Sequence, residues 1–129
     1  MDDALWDKML SVNLTGVYNC ARAAINGMLN KGSGQIVNVA STAALTGYAY
    51  VTAYCAAKHG LLGLARAFRA ETLETGVGVT AILPGATWTP SWEGAPFPES
   101  RFMPADDIAE AIHGLCRLSP RTVPEAVSY

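Results

Sequence analysis

Tyr54 and Lys58 are separated by three residues, about one turn of a helix, which brings a phenol and an ammonium to the same face. A positive charge beside a phenol favours the phenolate, so the pair could act as a general acid and base. Both close the stretch S-T-A-A-L-T-G-Y-A-Y-V-T-A-Y-C-A-A-K over residues 41–58, and a short apolar run precedes it. Ser41 and Thr42 stand at the carboxyl end of that run. Ligands of open α/β sheets gather beyond the carboxyl ends of the strands, so these hydroxyls are well placed for chemistry.

The elements that must position these groups can be taken in chain order. Asp2 and Asp3 put negative charge where it complements the positive end of a helix dipole. Leu5, Met9, Val12, Gly16, Cys20, Ala23 and Gly27 then recur at three and four residues, predicting one long helix with an apolar or small face through about residue 30. Asn13 lies one residue round from that stripe, and Gly16 and Gly27 are costly inside a helix unless something packs closely there. Lys31-Gly32-Ser33-Gly34 is a turn, and the β-branched run over 35–40 suits a buried parallel strand.

A second helix is expected over 52–75, with Ala57, Leu61, Leu64, Ala65, Phe68 and Leu73 available for burial. Gly60 and Gly63 on it point to another helix approaching closely, from this chain or a second subunit. Val79-Thr80-Ala81-Ile82-Leu83 reads as a second buried strand that stops at Pro84-Gly85. Residues 87–104 carry four prolines, Trp88 and Trp92 without periodicity, as an irregular substrate-side loop would. Pro104-Ala105-Asp106-Asp107 opens a third helix with Ile108, Ala111, Ile112 and Leu115 spaced for burial, and Ala126-Val127-Ser128 is a candidate terminal strand. Helix, strand, helix, strand, loop, helix is the order of a parallel α/β sheet.

Composition narrows the function. The chain has 129 residues, half of them apolar, which fits one domain, residues 1–129, with a real core. Nine basic and eleven acidic residues give a net charge of −2 and form no cationic stripe, which argues against nucleic acid as a partner. Cys20, Cys55 and Cys116 are far apart and in no C-x-x-C spacing, so they read as reduced thiols and no metal site is indicated. The acidic start and the lack of an 18-residue apolar run favour a soluble, cytoplasmic protein with no membrane partner.

Together the motifs resemble those of the short-chain dehydrogenase/reductase family. Val12-Asn13-Leu14-x-Gly16 resembles the family's Asn helix, and Ile36-Val37-Asn38-Val39-Ala40-Ser41 its serine strand. Tyr54 follows Ser41 at the family's usual separation of 13, Lys58 completes Tyr-x-x-x-Lys, and Pro84-Gly85-Ala86-Thr87-Trp88-Thr89 resembles its P-G-x-V-x-T loop. A lone Tyr-x-x-x-Lys arises by chance; four ordered motifs on the expected elements are specific.

The resemblance implies hydride transfer between NAD or NADP and a small-molecule carbonyl or alcohol, in a homo-oligomer. It implies that Tyr54 exchanges the proton, Lys58 tunes the phenol and holds the nicotinamide ribose, Ser41 bonds the substrate oxygen, and Asn13 carries a water into a proton relay. Pro84, Gly85, Thr87 and Thr89 would bind the nicotinamide side of the cofactor. The family's glycine-rich T-G-x-x-x-G-x-G turn and its N-N-A-G strand end are absent from these residues. The expected fold is therefore a partial Rossmann-like doubly wound parallel sheet lacking its N-terminal dinucleotide-binding strands.

Each residue also has an ordinary reading. Asn13 could satisfy a helix kink, Ser41 a local turn, and Tyr54 could be a half-buried aromatic beneath a solvated Lys58. Trp88 and Trp92 could line a substrate or merely pack locally, and His59 and His113 lack companions at ligand spacing. Two alternatives to the dehydrogenase follow. One is a catalytically silent remnant of the family that acts only as an oligomerising chain; the other is a sugar-nucleotide epimerase or dehydratase relative, which can share Tyr-x-x-x-Lys.

Overall fold

The computed structural model describes residues 2–129. Helix α1 (Asp3–Leu10) is capped by Asp2, whose carboxylate accepts from the Leu5 N–H at 2.7 Å. It passes without a break through a π turn (Ser11–Thr15) into α2 (Gly16–Lys31). The Gly16 N–H reaches back five residues to the Ser11 carbonyl, and the side-chain amide of Asn13 donates to the Met9 carbonyl at 3.2 Å. Such widened single turns are frequent at functional sites. Gly32, at φ 69°, ends α2 in the left-handed conformation.

Strands β1 (Gly34–Val39), β2 (Val77–Leu83) and β3 (Ala126–Ser128) form a parallel sheet in the order β1-β2-β3. Every residue of β2 is buried, as expected of the central strand of a sheet covered on both faces. Helix α3 (Thr52–Thr72) makes the crossover from β1 to β2 and sets Leu61, Leu62 and Ala65 against Ala40, Val79, Ala81 and Leu83. Leu14, Val17, Ile36, Leu64 and Phe68 close the margins of this core. Helix α4 (Ala105–Cys116) follows the loop after β2. Just before β3 the Pro124 carbonyl ties the tail to β2 and to α3, accepting from the Thr80 hydroxyl at 2.8 Å and from Arg69 at 3.1 Å.

The expected order of elements is present, with the terminal strand added as β3. Three expectations are corrected. The stripe from Leu5 through Val12 and Cys20 to Gly27 is largely exposed, whereas Leu14, Val17 and Ala21, on a neighbouring face, meet the core. Helix α3 stops at Thr72 rather than residue 75 and leaves Leu73 62% exposed, because the chain leaves helical geometry at Leu73 and turns through Glu74 and Gly76 at positive φ. A Cβ on Gly76 would run into the Gly32 carbonyl, so this close crossing of two turns requires glycine. Finally, the close approach expected at both Gly60 and Gly63 is present only at Gly60, from Leu14 of the same chain at 3.0 Å from an added Cβ; among the described residues nothing lies within 4 Å of one added at Gly63.

Candidate active site at the carboxyl end of the sheet

The first two strands deliver their loops to the same end of the sheet, and hydrogen bonds fasten those loops together. Ala40 donates to the Ile82 carbonyl at 2.7 Å and Thr42 donates to the Pro84 carbonyl at 3.1 Å, so the serine loop and the Pro-Gly loop stand side by side. Ser41 is extended and caps a short 3-10 turn (Thr42–Ala44), its Oγ accepting from the Ala43 N–H at 3.1 Å. The ordinary reading of Ser41 as a turn hydroxyl is thus satisfied. It leaves the serine O–H free to donate to a ligand.

Tyr54 and Lys58 lie on the first two turns of α3. Lys58 is only 9% exposed, and its Nζ donates to the Val39 carbonyl at 3.2 Å while lying 5.6 Å from the centroid of the Tyr54 ring. The ordinary reading of a solvated Lys58 does not hold: the lysine is buried and tied across 19 residues to the strand that leads into Ser41. Burial pushes its pKa below the ordinary value of 10.5, since the cation loses more hydration than one carbonyl restores. An ammonium has three donors, and two remain for other partners.

Asn13 lies in the π turn. Its neighbour Leu14 rests on Gly60, two residues beyond Lys58, which docks the π turn against α3. Among the described residues its side chain bonds Met9 alone, through the carbonyl and at 3.7 Å the sulfur, and makes no hydrogen bond to Tyr54 or Lys58.

In the Pro-Gly loop, Gly85 donates to the Tyr129 carbonyl at 3.0 Å and Tyr129 donates to the Leu83 carbonyl at 3.2 Å, so the pairing of β2 with β3 runs on into the site. Thr87 forms a bridge with Met103. Its two bonds run from Met103 N–H to the Ala86 carbonyl and from Trp88 N–H to the Met103 carbonyl, at 3.0 and 2.9 Å. Among the described residues neither polar group of the Thr87 backbone is used, and its hydroxyl turns back to the Gly85 carbonyl at 3.1 Å. Thr89 instead bonds Ser91 at 2.6 Å, a local turn contact.

Between the two sides of that bridge the loop packs on itself. Phe102 has its ring centre 5.3 Å from that of Trp88 and 4.7 Å from that of Trp92, and Trp92 reaches Phe97 at 6.5 Å. Local packing is what these tryptophans do here. A depression of about 620 Å³ remains beside them, lined by Trp88, Glu99, Ser100, Phe102 and Pro104. Val39 and Tyr129 were not singled out as site residues: Val39 stood only as part of the serine strand, and Tyr129 only as the residue after the weak Ala126-Val127-Ser128 run. Among the described residues no group of three His, Cys, Asp or Glu could hold a metal ion. No described helix is long and apolar enough to cross a membrane.

A parallel α/β sheet with a Ser, Tyr and Lys gathered at the carboxyl end of its first strand defines a class of dinucleotide-type folds. Residues 1–96 match the short chain dehydrogenase family, and the chain belongs to it. It is 47% identical over 90 residues to the short-chain dehydrogenase/reductase ABA4 of Pyricularia oryzae, covering 70% of this chain and 33% of that protein. It is 38% identical over 128 residues to 2-(S)-hydroxypropyl-CoM dehydrogenase 3 of Xanthobacter autotrophicus, covering 86% of this chain and 50% of that one. Acetoin dehydrogenase from Enterobacter cloacae superposes with a TM-score of 0.86 at 30% identity, over all of this chain and 55% of the other. An actinorhodin polyketide ketoreductase with NADPH superposes at 0.87 and 26% identity, over 99% of this chain and 58% of the other. The chain thus spans about a third to a half of the length of the curated relatives named here. Its three-stranded sheet is part of their larger Rossmann-type fold.

Proposed function

We propose that this chain supplies the catalytic half of an NAD(P)-dependent oxidoreductase that moves hydride between a nicotinamide and a small carbonyl or alcohol. The observation that carries this reading is the buried Lys58 ammonium, fastened to the Val39 carbonyl beside Tyr54 with two donors unspent. The residues suit a nicotinamide. The unspent N–H and carbonyl of Thr87 match a carboxamide, which both accepts and donates, and the change from the family's usual Val or Ile leaves that backbone contact untouched. Pro84 and Gly85 bring the loop to this place, and Lys58 would donate to ribose hydroxyls. Thr89, committed to Ser91, would contribute through its backbone or after a rotation.

When bound, the nicotinamide supplies or accepts the hydride at the carbonyl carbon. The chain supplies the proton. In reduction, the Tyr54 hydroxyl gives its proton to the substrate oxygen as the alcohol forms; in oxidation it takes that proton back. The Ser41 O–H donates a hydrogen bond to the same oxygen and fixes it against the phenol. Lys58 would hold the nicotinamide ribose beside Tyr54, and Asn13, at the π turn docked on α3, would hold the water that returns the proton from solvent. A homo-oligomer fits the family, with the exposed Gly63 on α3 as a place for close approach.

The test is a titration of the purified chain with NADH and NADPH, read by nicotinamide fluorescence. Binding that weakens in Lys58→Met supports the assignment of the Pro-Gly loop and Lys58 to the nicotinamide. No fluorescence change up to millimolar cofactor, for the chain alone and for the chain joined to the missing half of a relative, would remove it.

A further inference from the structure

The loop between Ser41 and Tyr54 holds a pair of hydroxyls that the chemistry so far leaves unused. Tyr48 stands half exposed, and its phenol oxygen lies 3.2 Å from Thr42 Oγ1. Thr42 is the residue after Ser41, and its N–H is held by the Pro84 carbonyl at 3.1 Å, so the pair stands where the serine loop meets the Pro-Gly loop. Of the two O–H donors, one is spent on the bond between them and one is free, and both oxygens keep lone pairs. Water would serve either exposed hydroxyl as well, so the fold gains little from this bond.

The rest of the loop has the character of a ligand surface. Tyr50 sits at φ 68°, a left-handed conformation that bulky side chains rarely adopt, and its ring is wholly exposed. Residues held in that region gather at active sites and ligand clamps. Leu45 and Val51, on the same loop, are exposed too. From Ser41 to Ala57, and again from Pro84 to Trp92, no residue carries a charge. Lys58 is taken by the ribose, so a carboxylate on the substrate would meet no counter-ion from either loop.

We propose that Thr42 and Tyr48 form a specificity fork that binds a second, uncharged oxygen of the substrate, on the carbon next to the reacting carbonyl. The substrate class is then a neutral α-hydroxy ketone and, in the reverse direction, the vicinal diol. Successive residues stand about 3.8 Å apart at Cα, so a substrate with oxygens on neighbouring carbons can reach from the Ser41 hydroxyl to the fork. This rests on the hydride-transfer reading of the same site. The carbonyl carbon takes the hydride of the reduced nicotinamide and its oxygen takes the proton of Tyr54; the second oxygen is held and leaves unchanged.

The experiment compares 1-hydroxy-2-butanone, 3-pentanone and 2-oxobutanoate as substrates of the active enzyme containing this chain. All three are ethyl ketones and differ only in carrying a hydroxymethyl, an ethyl or a carboxylate group. The kcat/KM of the hydroxy ketone is expected to exceed that of each of the others by at least about tenfold, the worth of a hydrogen bond the analogue cannot make. Tyr48→Phe and Thr42→Val should each bring the ratio of hydroxy ketone to 3-pentanone within about threefold of unity. Equal use of that pair by the wild type would overturn the fork, as would variants that slow both substrates alike and keep the ratio; 2-oxobutanoate as the best substrate would overturn the neutral class. Saturation-transfer NMR of the same pair separates this from the reading it rests on. Selective binding that Tyr48→Phe removes, with no turnover under NADH or NADPH, would support the fork and remove the hydride transfer, whereas equal binding of the pair would overturn the fork.

Discussion

Tyr54→Phe is expected to lower turnover of the active enzyme containing this chain by about 10²–10⁴-fold, the range over which a positioned general acid acts. The substitution removes one oxygen and little else. Tyr54 is half-buried and its hydroxyl makes no hydrogen bond among the described residues, so the fold loses no partner. The ring stays beneath the Lys58 ammonium, 5.6 Å from its centroid, and the Val39 carbonyl continues to hold that ammonium. Nicotinamide affinity should therefore change little, and the loss should fall on the rate constant of the chemical step. Steady-state kinetics with a cofactor titration separates the two. A variant that keeps wild-type turnover would leave the phenol with no part in the chemistry.

Lys58→Met is expected to have two effects of opposite character. Turnover should fall by about a hundredfold or more, because the cation that stands beside the Tyr54 ring and would hold the nicotinamide ribose is gone, and nicotinamide binding should weaken along with it. Stability should behave differently. Burial lowers the pKa of Lys58 from 10.5, so in the window between the lowered value and 10.5 the unfolded chain binds more protons than the folded one. Holding the cation in the fold is a cost that is present in full below the lowered value and is relieved as pH rises towards 10.5. Wild-type stability should thus rise with pH across that window, and the methionine variant should lose this rise. At neutral pH the variant should unfold within about 1 kcal/mol of wild type, since the relief of a buried charge offsets the lost bond to Val39. Urea unfolding at a series of pH values measures both quantities.

How much of this was legible beforehand depended on whether a feature is local. The strand 79–83 declares itself by five consecutive buried-type residues, and the structure extends it only to Val77. Tyr54 and Lys58 face the same way because helical spacing is a local rule, and four ordered motifs carried the family before any coordinate did. Relations between distant residues were not legible. No pattern shows that Lys58 is buried under Val39, or that Tyr129 continues a strand into Gly85, because each depends on which strands become neighbours. The π turn around Asn13 has no compositional mark. The stripe on the first helix was visible as periodicity, but periodicity cannot say which of two adjacent faces finds the core. Leu14, Val17 and Ala21 found it, and the more regular stripe is left largely exposed.

The central claim is that hydride passes directly between a nicotinamide and the substrate carbon while Tyr54 supplies the proton. Its most direct test uses nicotinamide cofactor carrying deuterium at the transferring position, with a ketone substrate in ordinary water. The account predicts one deuterium on the carbinol carbon of the product and none from solvent. Product alcohol with no deuterium at that carbon would contradict it.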